Sequence, residues 1–132
     1  MAHFATAIIG GTAALFLSGW QSAALFFAGA SLIDADHVLD YFLIYKRLDF
    51  GKMLAGHFYQ DKIYVVLHSF EIPILALLLF PSAETAWLAA GFALHLAMDL
   101  AEYPFKNPLA TYFFAYRALV GFSRKRLCAN CE

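Results

Sequence analysis

The sequence predicts an all-α integral membrane protein: a bundle of four transmembrane helices followed by a C-terminal interfacial amphipathic helix. Of its 132 residues, 62% are hydrophobic and only 14% are charged. Soluble domains carry about 45–50% apolar and about 25% charged residues. Four apolar stretches approach the roughly 20 residues that a spanning helix needs. The formal net charge of −1 gives no reason to expect a nucleic acid as a partner.

Two short turns and one polar loop separate the four predicted spans. The spans cover residues 3–17, 22–45, 62–80 and 85–103, and the polar loop covers residues 46–61. Gly19 lies in the first turn, and Ser82 or Glu84 in the second turn could cap the helix that follows. Pro73 lies inside the third span, where neighbouring helices of a membrane bundle can accommodate it.

The chain after the fourth span predicts a helix that lies on the membrane. Asn107 and Pro108 are typical of an N-cap followed by proline at the first helical position. Residues 109–122 then predict an amphipathic helix at the interface. We therefore expect one helical membrane domain over residues 1–123 and a basic tail over residues 124–132.

The tail contains the two cysteines of the chain, Cys128 and Cys131. A structural zinc site needs four ligands, and the chain offers no second cysteine pair. We therefore expect a disordered tail with reduced thiols. The basic run Arg124-Lys125-Arg126 is compatible with attraction to anionic lipid of the inner leaflet, and equally with an ordinary cytoplasmic tail.

The basic residues predict the orientation of the bundle. Both termini and the loop over residues 46–61 lie on one side in a four-span topology, and all nine Lys and Arg residues fall on that side. The positive-inside rule makes this side cytoplasmic. Trp20 and Trp87 fall at the opposite interface, where an aromatic belt would place them. No basic segment precedes the first span, so we interpret it as a retained helix rather than a signal peptide.

Each predicted span places ionisable side chains at about the same depth, in the cytoplasmic half of the membrane. The candidates are His3 on the first span, Asp34, Asp36, His37 and Asp40 on the second, His68 and Glu71 on the third, and His95, Asp99 and Glu102 on the fourth. Ionised carboxylates in an apolar environment are costly and persist when they are paired or bind a cation. A metal ion is the simplest way to hold several of them together.

The spacing of these residues is helical. Pairs at i,i+3 or i,i+4 project from one face of a helix. Asp36–Asp40, His68–Glu71 and His95–Asp99 are such pairs. Imidazole and carboxylate ligands without thiolate suit zinc, manganese or iron. We expect zinc first, and the number of candidate ligands allows one ion or two.

Several candidates have a simpler interpretation. His3, at a helix end, is typical of a hydrogen-bonded interface residue. Asp40 and Glu102, near the headgroups, could be solvated or paired with a lysine. Glu71 could orient His68 instead of binding metal. For the set as a whole, a proton or ion relay is the alternative to a metal site.

Four short motifs in this order resemble those of the membrane-bound metal-dependent hydrolases, a family described as LexA-binding, inner-membrane-associated hydrolases. The motifs are His3 followed by Gly10-Gly11, then Ile33-Asp34-Ala35-Asp36-His37, then Leu67-His68-Ser69, then His95-Leu96-Ala97-Met98-Asp99. The resemblance covers residues 1–103. Three departures are Ile33 in place of proline, Leu67 in place of threonine, and Ile63-Tyr64-Val65 near the place of a His-Arg-Gly sequence.

The resemblance implies a metal-dependent hydrolase of the bacterial inner membrane. The predicted metal ligands are His3, Asp36, His68, His95 and Asp99, and the residues predicted to bridge metals, orient ligands or act as general base are Asp34, His37, Asp40 and Glu71. The family is distantly similar to zinc-dependent phospholipase C, which implies hydrolysis of a phosphoester by metal-activated water. The expected substrate is lipid-like, because it must reach a site in the membrane.

Two other functions are compatible with the same residues. A transporter of metal ions or protons would need a polar path to the outer face, for which the outer halves of the spans offer few polar side chains. A non-catalytic protein would use the metal only to hold its helices, without an open coordination position. Membrane lipid is the expected partner in each case, and a homo-oligomer is compatible with the sequence.

Overall fold

The computed structural model describes residues 2–54, 62–102 and 105–129, with the backbone alone for residues 2–4, 52 and 54. The described residues are helical and contain no strand beyond two isolated bridges, which confirms the all-α class. The helices are α1 (Ala2–Ser18), α2 (Trp20–Leu32), α3 (Ala35–Tyr45), α4 (Phe50–Leu54), α5 (Glu71–Leu79), α6 (Ala83–Glu102), α7 (Pro108–Thr111), α8 (Phe114–Leu119) and α9 (Arg124–Leu127).

The chain divides into two compact units. The first unit consists of Met1–Ile33 and Phe70–Glu102, and the second of Asp34–Ser69 and Tyr103–Glu132. The helices α1, α2, α5 and α6 therefore belong to the first unit, and α3, α4, α7, α8 and α9 to the second. The single domain expected over residues 1–123 stays a prediction.

Close contact between helix backbones holds the first unit together. Its helix α2 packs against α1 and α6. A methyl group added at Gly91 of α6 would collide with the backbone carbonyl of Phe26 on α2, and one added at Gly29 of α2 would collide with that of Leu88 on α6. Small residues that let backbones approach in this way are typical of helix pairs in membranes, where hydrophobic burial drives association little.

The core of the first unit is narrow and built mainly from alanine. Ala7, Ala14 and Ala30 are buried with Phe26. The ring of Phe26 meets that of Trp87 edge to face, with centroids 6.5 Å apart. A core of such short side chains is possible only because the helices lie close together.

Large apolar side chains cover the outside of the first unit. Phe16 is 84% exposed and Leu78 is 72% exposed. Others on α1, α2 and α5 that are also exposed are Ile9, Leu17, Trp20, Leu32, Leu75 and Leu79. Soluble monomers rarely expose contiguous apolar surface on this scale, whereas lipid-facing surfaces are apolar.

One stretch of the described residues is both long and apolar enough to cross a membrane. It runs over Trp20–Tyr45, 26 residues, and corresponds to the second predicted span. The single helix predicted there is wrong in one respect, because the turn residues Ile33 and Asp34 divide it into α2 and α3. The first predicted span is helical as α1, and the fourth as α6. That these helices cross a membrane as a set of four stays a prediction.

The third predicted span, over residues 62–80, is wrong in its extent. Helix α5 begins only at Glu71 and has 9 residues, which at about 1.5 Å per residue is far shorter than a bilayer core. Pro73 lies in its first turn, where the missing N–H breaks no intrahelical bond. A helix continued from residue 62 would place this proline in its interior. Residues 62–70 are instead irregular, so His68 does not lie on a helix.

Both predicted turns are confirmed. Gly19 links α1 to α2 with φ 90°, a conformation that glycine adopts without strain. Before α6, the hydroxyl of Ser82 accepts a hydrogen bond from the backbone N–H of Thr85 at 3.1 Å. Ser82 is therefore the N-cap of α6.

The second unit has its own apolar core between the irregular segment and the C-terminal helices. Ile63, Val65 and Leu127 are buried together, with Phe105 and Tyr116 packed against them. The N–H of Ile63 donates to the carbonyl of Phe122 at 2.9 Å. The residues after α6 therefore cover residues 62–65.

The single amphipathic helix predicted over residues 109–122 is wrong. Helix α7 ends at Thr111, Phe113 is extended, and α8 is followed by two left-handed residues, Gly121 and Phe122. The fully buried side chain in this region is Arg117, not an apolar residue. Residues 109–122 fold around the buried side chain of Arg117, so they do not form one continuous amphipathic helix.

The basic tail is also more ordered at its start than expected. Leu127 and Cys128 are buried, and Cys128 is disulfide-bonded, which differs from the expected reduced thiol. Phe105 and Cys128 form one of the isolated bridges. Cys131 lies outside the described residues.

Replacement of Gly91 by alanine should destabilise the first unit. The added methyl group must push α2 and α6 apart, and overpacking of this kind costs about 1–3 kcal/mol. Gly11→Ala is the matched control, because its methyl group would meet only the carbonyl of Ala23 at 3.9 Å. The control should be neutral or more stable, since alanine favours a helix by about 1 kcal/mol over glycine. Thermal unfolding in one detergent compares them, and equal stability of the two variants would contradict the close contact.

Candidate metal centre

The N-terminal turn of α3 presents three of the predicted site residues. Asp34 occupies the N-cap position, and Asp36 lies in the first turn. Carboxylates are stabilised there by the partial positive charge of the helix N-terminus. His37 follows Asp34 at i+3, so the two side chains share one face, with His37 Nε2 3.8 Å from Asp34 Oδ1.

His68 joins this pair from the irregular segment of the same unit. Its Nε2 lies 3.8 Å from Asp34 Oδ1, and its ring centroid lies 4.5 Å from that of His37. One ligand atom from each of these three residues falls within 4.8 Å of the others. Asp34, His37 and His68, here called the triad, are therefore the group in this unit that could hold a metal ion.

The triad runs from solvent to the interior. The side chain of Asp34 is 57% exposed and that of His68 is 5% exposed, while His37 is intermediate. Donor atoms about 2.1 Å from a tetrahedral zinc ion lie about 3.4 Å from one another. The two separations from Asp34 Oδ1, to His37 Nε2 and to His68 Nε2, are each 3.8 Å and close to this value. All three donor atoms lie within 4.8 Å of one another, so the residues could hold a zinc-sized ion if they move closer together.

The second ring nitrogen of His68 faces another carboxylate. His68 Nδ1 lies 3.6 Å from Asp36 Oδ2, and both side chains are buried. Asp36 Oδ2 also accepts hydrogen bonds from the backbone N–H groups of Leu67 at 2.5 Å and His68 at 3.3 Å. Asp36 therefore holds the backbone of the segment and lies beside the side of the imidazole that faces away from Asp34.

Asp40 and Arg117 bind the same segment at other points. Asp40 Oδ2 accepts the backbone N–H of Tyr64 at 3.0 Å. Arg117 Nη1 donates to the carbonyl of His68 at 2.7 Å, and Nη2 donates to that of Val65 at 2.8 Å. Asp40 and Arg117 are buried. These contacts place the backbone of residues 64–68 between two carboxylates and one guanidinium group.

His95 and Asp99 form a buried pair in the first unit. His95 Nε2 lies 3.6 Å from Asp99 Oδ2, one helical turn along α6. His95 Nδ1 lies 2.7 Å from the carbonyl oxygen of Ala30 on α2. A carbonyl only accepts, so Nδ1 carries a proton, and Nε2 is the ring nitrogen that faces Asp99. Histidines that bind metals are commonly held in one tautomer by such a bond.

The remaining predicted site residues are placed as follows. The side chain of His3 lies outside those the structure describes. Glu71 is half-buried at the start of α5, and Glu102 is exposed at the end of α6. The predicted i,i+3 relation of His68 and Glu71 on one helix is wrong, because the helix begins after His68. That the five predicted ligands bind one metal centre stays a prediction.

Arg117 is a residue of this region that the sequence did not single out. The feature of the sequence that could have drawn attention to it is an isolated arginine among aromatic and small residues, between Tyr116 and Ala118. A charge in such a context is either exposed by the helix pattern or bound by polar groups in the interior, and the sequence does not distinguish the two.

Comparison with models of known protein families, with curated proteins and with solved structures finds no match. The resemblance to the membrane-bound metal-dependent hydrolases therefore rests on the short motifs alone.

The hydrogen bond from His95 to Ala30 should make a measurable contribution to stability. His95→Leu fills similar space but leaves the carbonyl without this donor, which costs about 1–3 kcal/mol. His95→Asn keeps an N–H near the position of Nδ1 and should retain more of the stability. Both variants lose Nε2 equally, so their difference isolates the bond to Ala30. Unfolding with a chelator present measures it, and equal loss in both would contradict this role.

Proposed function

We propose that the protein is a membrane-embedded, metal-dependent hydrolase with its metal site in the triad, acting on a phosphoester of a lipid-like substrate. The observation that carries the proposal is the convergence of two imidazoles and one carboxylate within 4.8 Å. Three protein ligands with a further position for water or substrate are typical of catalytic zinc, whereas structural zinc has four. The same donor set also suits iron(II), so the metal is to be determined directly.

Each residue of the triad has a proposed role, and so does Asp36, which lies beside His68. His37 and His68 bind the metal as neutral imidazoles, and Asp34 binds it as a carboxylate whose exposure lets water and substrate reach it. A bound zinc ion lowers the pKa of a coordinated water molecule to about 7, which supplies a nucleophile at neutral pH. Asp36, beside Nδ1 of His68, favours the tautomer in which Nε2 is available to the metal. His95 and Asp99 offer two further donor atoms in the first unit.

The lipid environment is supported by the first unit. Its exposed large side chains are apolar. The stretch Trp20–Tyr45, which begins in the first unit and continues into the second, is long enough by residue number to span a bilayer. The four-span topology with both termini in the cytoplasm, in a bacterial inner membrane, is part of the same proposal. A protein in this environment meets amphiphilic substrates from within the bilayer, and phosphoesters are among the hydrolysable bonds of phospholipids.

Metal analysis of detergent-purified protein should find about one or two equivalents of zinc, manganese or iron. The variants His37→Ala and His68→Ala should lose the metal of the triad, because each removes one of three ligands. His57→Ala is the matched control, since His57 is the one histidine not among the predicted site residues. If wild type contains no metal after purification without chelator and after metal is added back, the metal-dependent hydrolase is excluded.

A phosphoester lipid in vesicles should release its headgroup only in the presence of the metal-loaded protein. Chelation, and the His68→Ala substitution, should each lower the rate by about 10²-fold or more, since the bound water is the nucleophile. Adding zinc back should restore the chelated wild type but not the variant. A protein that binds stoichiometric metal and releases no headgroup would contradict the phospholipase-type activity and would favour a metal that only stabilises the fold.

A further inference from the structure

The segment that carries His68 cannot hold its own conformation. Residues 64–68 form no helix, and Val65 has φ 29°, a backbone region that β-branched residues avoid. The N–H and hydroxyl groups of Ser69, which follows the segment, donate to the carbonyls of Leu67 and Val66. Its conformation therefore depends on groups from elsewhere in the second unit.

The groups that bind the segment are of two kinds, carboxylates and a guanidinium group. The backbone N–H groups of the segment donate to carboxylates of α3: those of Leu67 and His68 donate to Asp36, and that of Tyr64 donates to Asp40. The carbonyls are bound by the guanidinium group of α8, which also donates to the carbonyl of Thr111 at 2.9 Å. Three N–H groups of the segment thus meet a carboxylate, and two of its carbonyls meet a guanidinium group. Hydrogen bonds to charged groups are stronger than neutral ones.

We infer that Asp40 and Arg117 are positioning residues of the metal site: they hold the segment over residues 64–68 so that Nε2 of His68 faces Asp34 and His37. Neither has a role as a metal ligand in this assignment. Asp40, expected from the sequence to take part in catalysis, instead acts through the backbone of Tyr64. The metal affinity of the triad depends in this way on a residue of the C-terminal segment, 49 positions from His68.

Arg117 is not arranged to bind a substrate phosphate. Its side chain is 1% exposed, and its two terminal nitrogens donate to the carbonyls of Val65, His68 and Thr111. A planar guanidinium group can donate several bonds in fixed directions at once, whereas the single ammonium group of lysine cannot reproduce that pattern. Arg117→Lys therefore keeps the charge and removes the geometry, which makes it the informative substitution.

The first measurement is backbone hydrogen exchange of the full chain in detergent without metal. In Arg117→Lys and in Asp40→Asn, the amides of residues 64–68 should exchange about tenfold or more faster than in wild type, because bonds to charged groups are lost. The amides of α6 in the first unit should be unchanged, which shows that the fold persists. Arg126→Lys is the matched control, an exposed arginine of the same C-terminal segment, and should leave the exchange of residues 64–68 unchanged.

The second measurement is the affinity for Zn²⁺ alone, by competition with a chromogenic chelator. Both variants should bind about 10–100-fold more weakly than wild type, the range typical when a group that orients a metal ligand is removed. A change in general stability alone would not lower this affinity at temperatures well below unfolding. Arg126→Lys should bind like wild type.

The role of Asp40 and Arg117 in metal binding rests on the proposed function. The outcomes below distinguish a failure of this inference from a failure of the proposed hydrolase function. Unchanged exchange of residues 64–68 in folded Arg117→Lys and Asp40→Asn would overturn it, as would faster exchange with unchanged zinc affinity. If Arg117→Lys does not fold, Asp40→Asn alone decides. If wild type binds no zinc, the hydrolase proposal fails, and so does the claim that Asp40 and Arg117 determine metal affinity. The exchange rates then still decide whether Asp40 and Arg117 hold residues 64–68 in place.

Discussion

The second unit depends on a buried guanidinium group. Arg117 binds the carbonyls of Val65 and His68 while Asp36 and Asp40 bind the neighbouring N–H groups. Burying a guanidinium group and two carboxyl groups is costly in an apolar environment unless each is paired or hydrogen-bonded. The arrangement satisfies the backbone of a segment without regular secondary structure, and the shape of that segment determines where His68 points. The apolar core around Ile63 and Leu127 packs on the same residues.

The first unit is stabilised in a different way. Its helices approach at Gly29 and Gly91, and its core is mainly alanine, so dispersion contacts between backbones replace the burial of large side chains. Phe16, Trp20 and Leu78 remain on the outside. In water, large apolar side chains on the outside would contribute no hydrophobic stabilisation. In lipid, their exposure has no such cost. His95 and Asp99 are the polar exception, and the bond to Ala30 orients the imidazole within that core.

The proposed chemistry follows from the contrast between these units. The apolar exterior of the first unit is compatible with a membrane location. The triad could supply three donor atoms for a single ion, and its carboxylate is exposed. A proton relay would use the same imidazoles and carboxylates, but it needs no convergence of three donor atoms at metal-ligand separations. A metal that only stabilises the fold would be better served by a fourth protein ligand. Metal content and headgroup release distinguish these functions.

The sequence by itself determined the helical class, the bounds of α1 and α6 and the start of α2 to within a few residues, and the turns at Gly19 and Ser82, because these follow from local apolar content, glycine conformation and capping. It also determined that His95 and Asp99 share a face of one helix, since their i,i+4 spacing is set by the helix. It did not determine that the helix predicted over residues 22–45 divides into α2 and α3. Only the tertiary structure decided that residues 62–70 are not helical, because an apolar run has the same appearance in a helix and in a buried irregular segment. The partners of that segment are 24 to 52 positions away, and pairing over such distances leaves no local pattern in the sequence. The role of Arg117 was undetectable for the same reason.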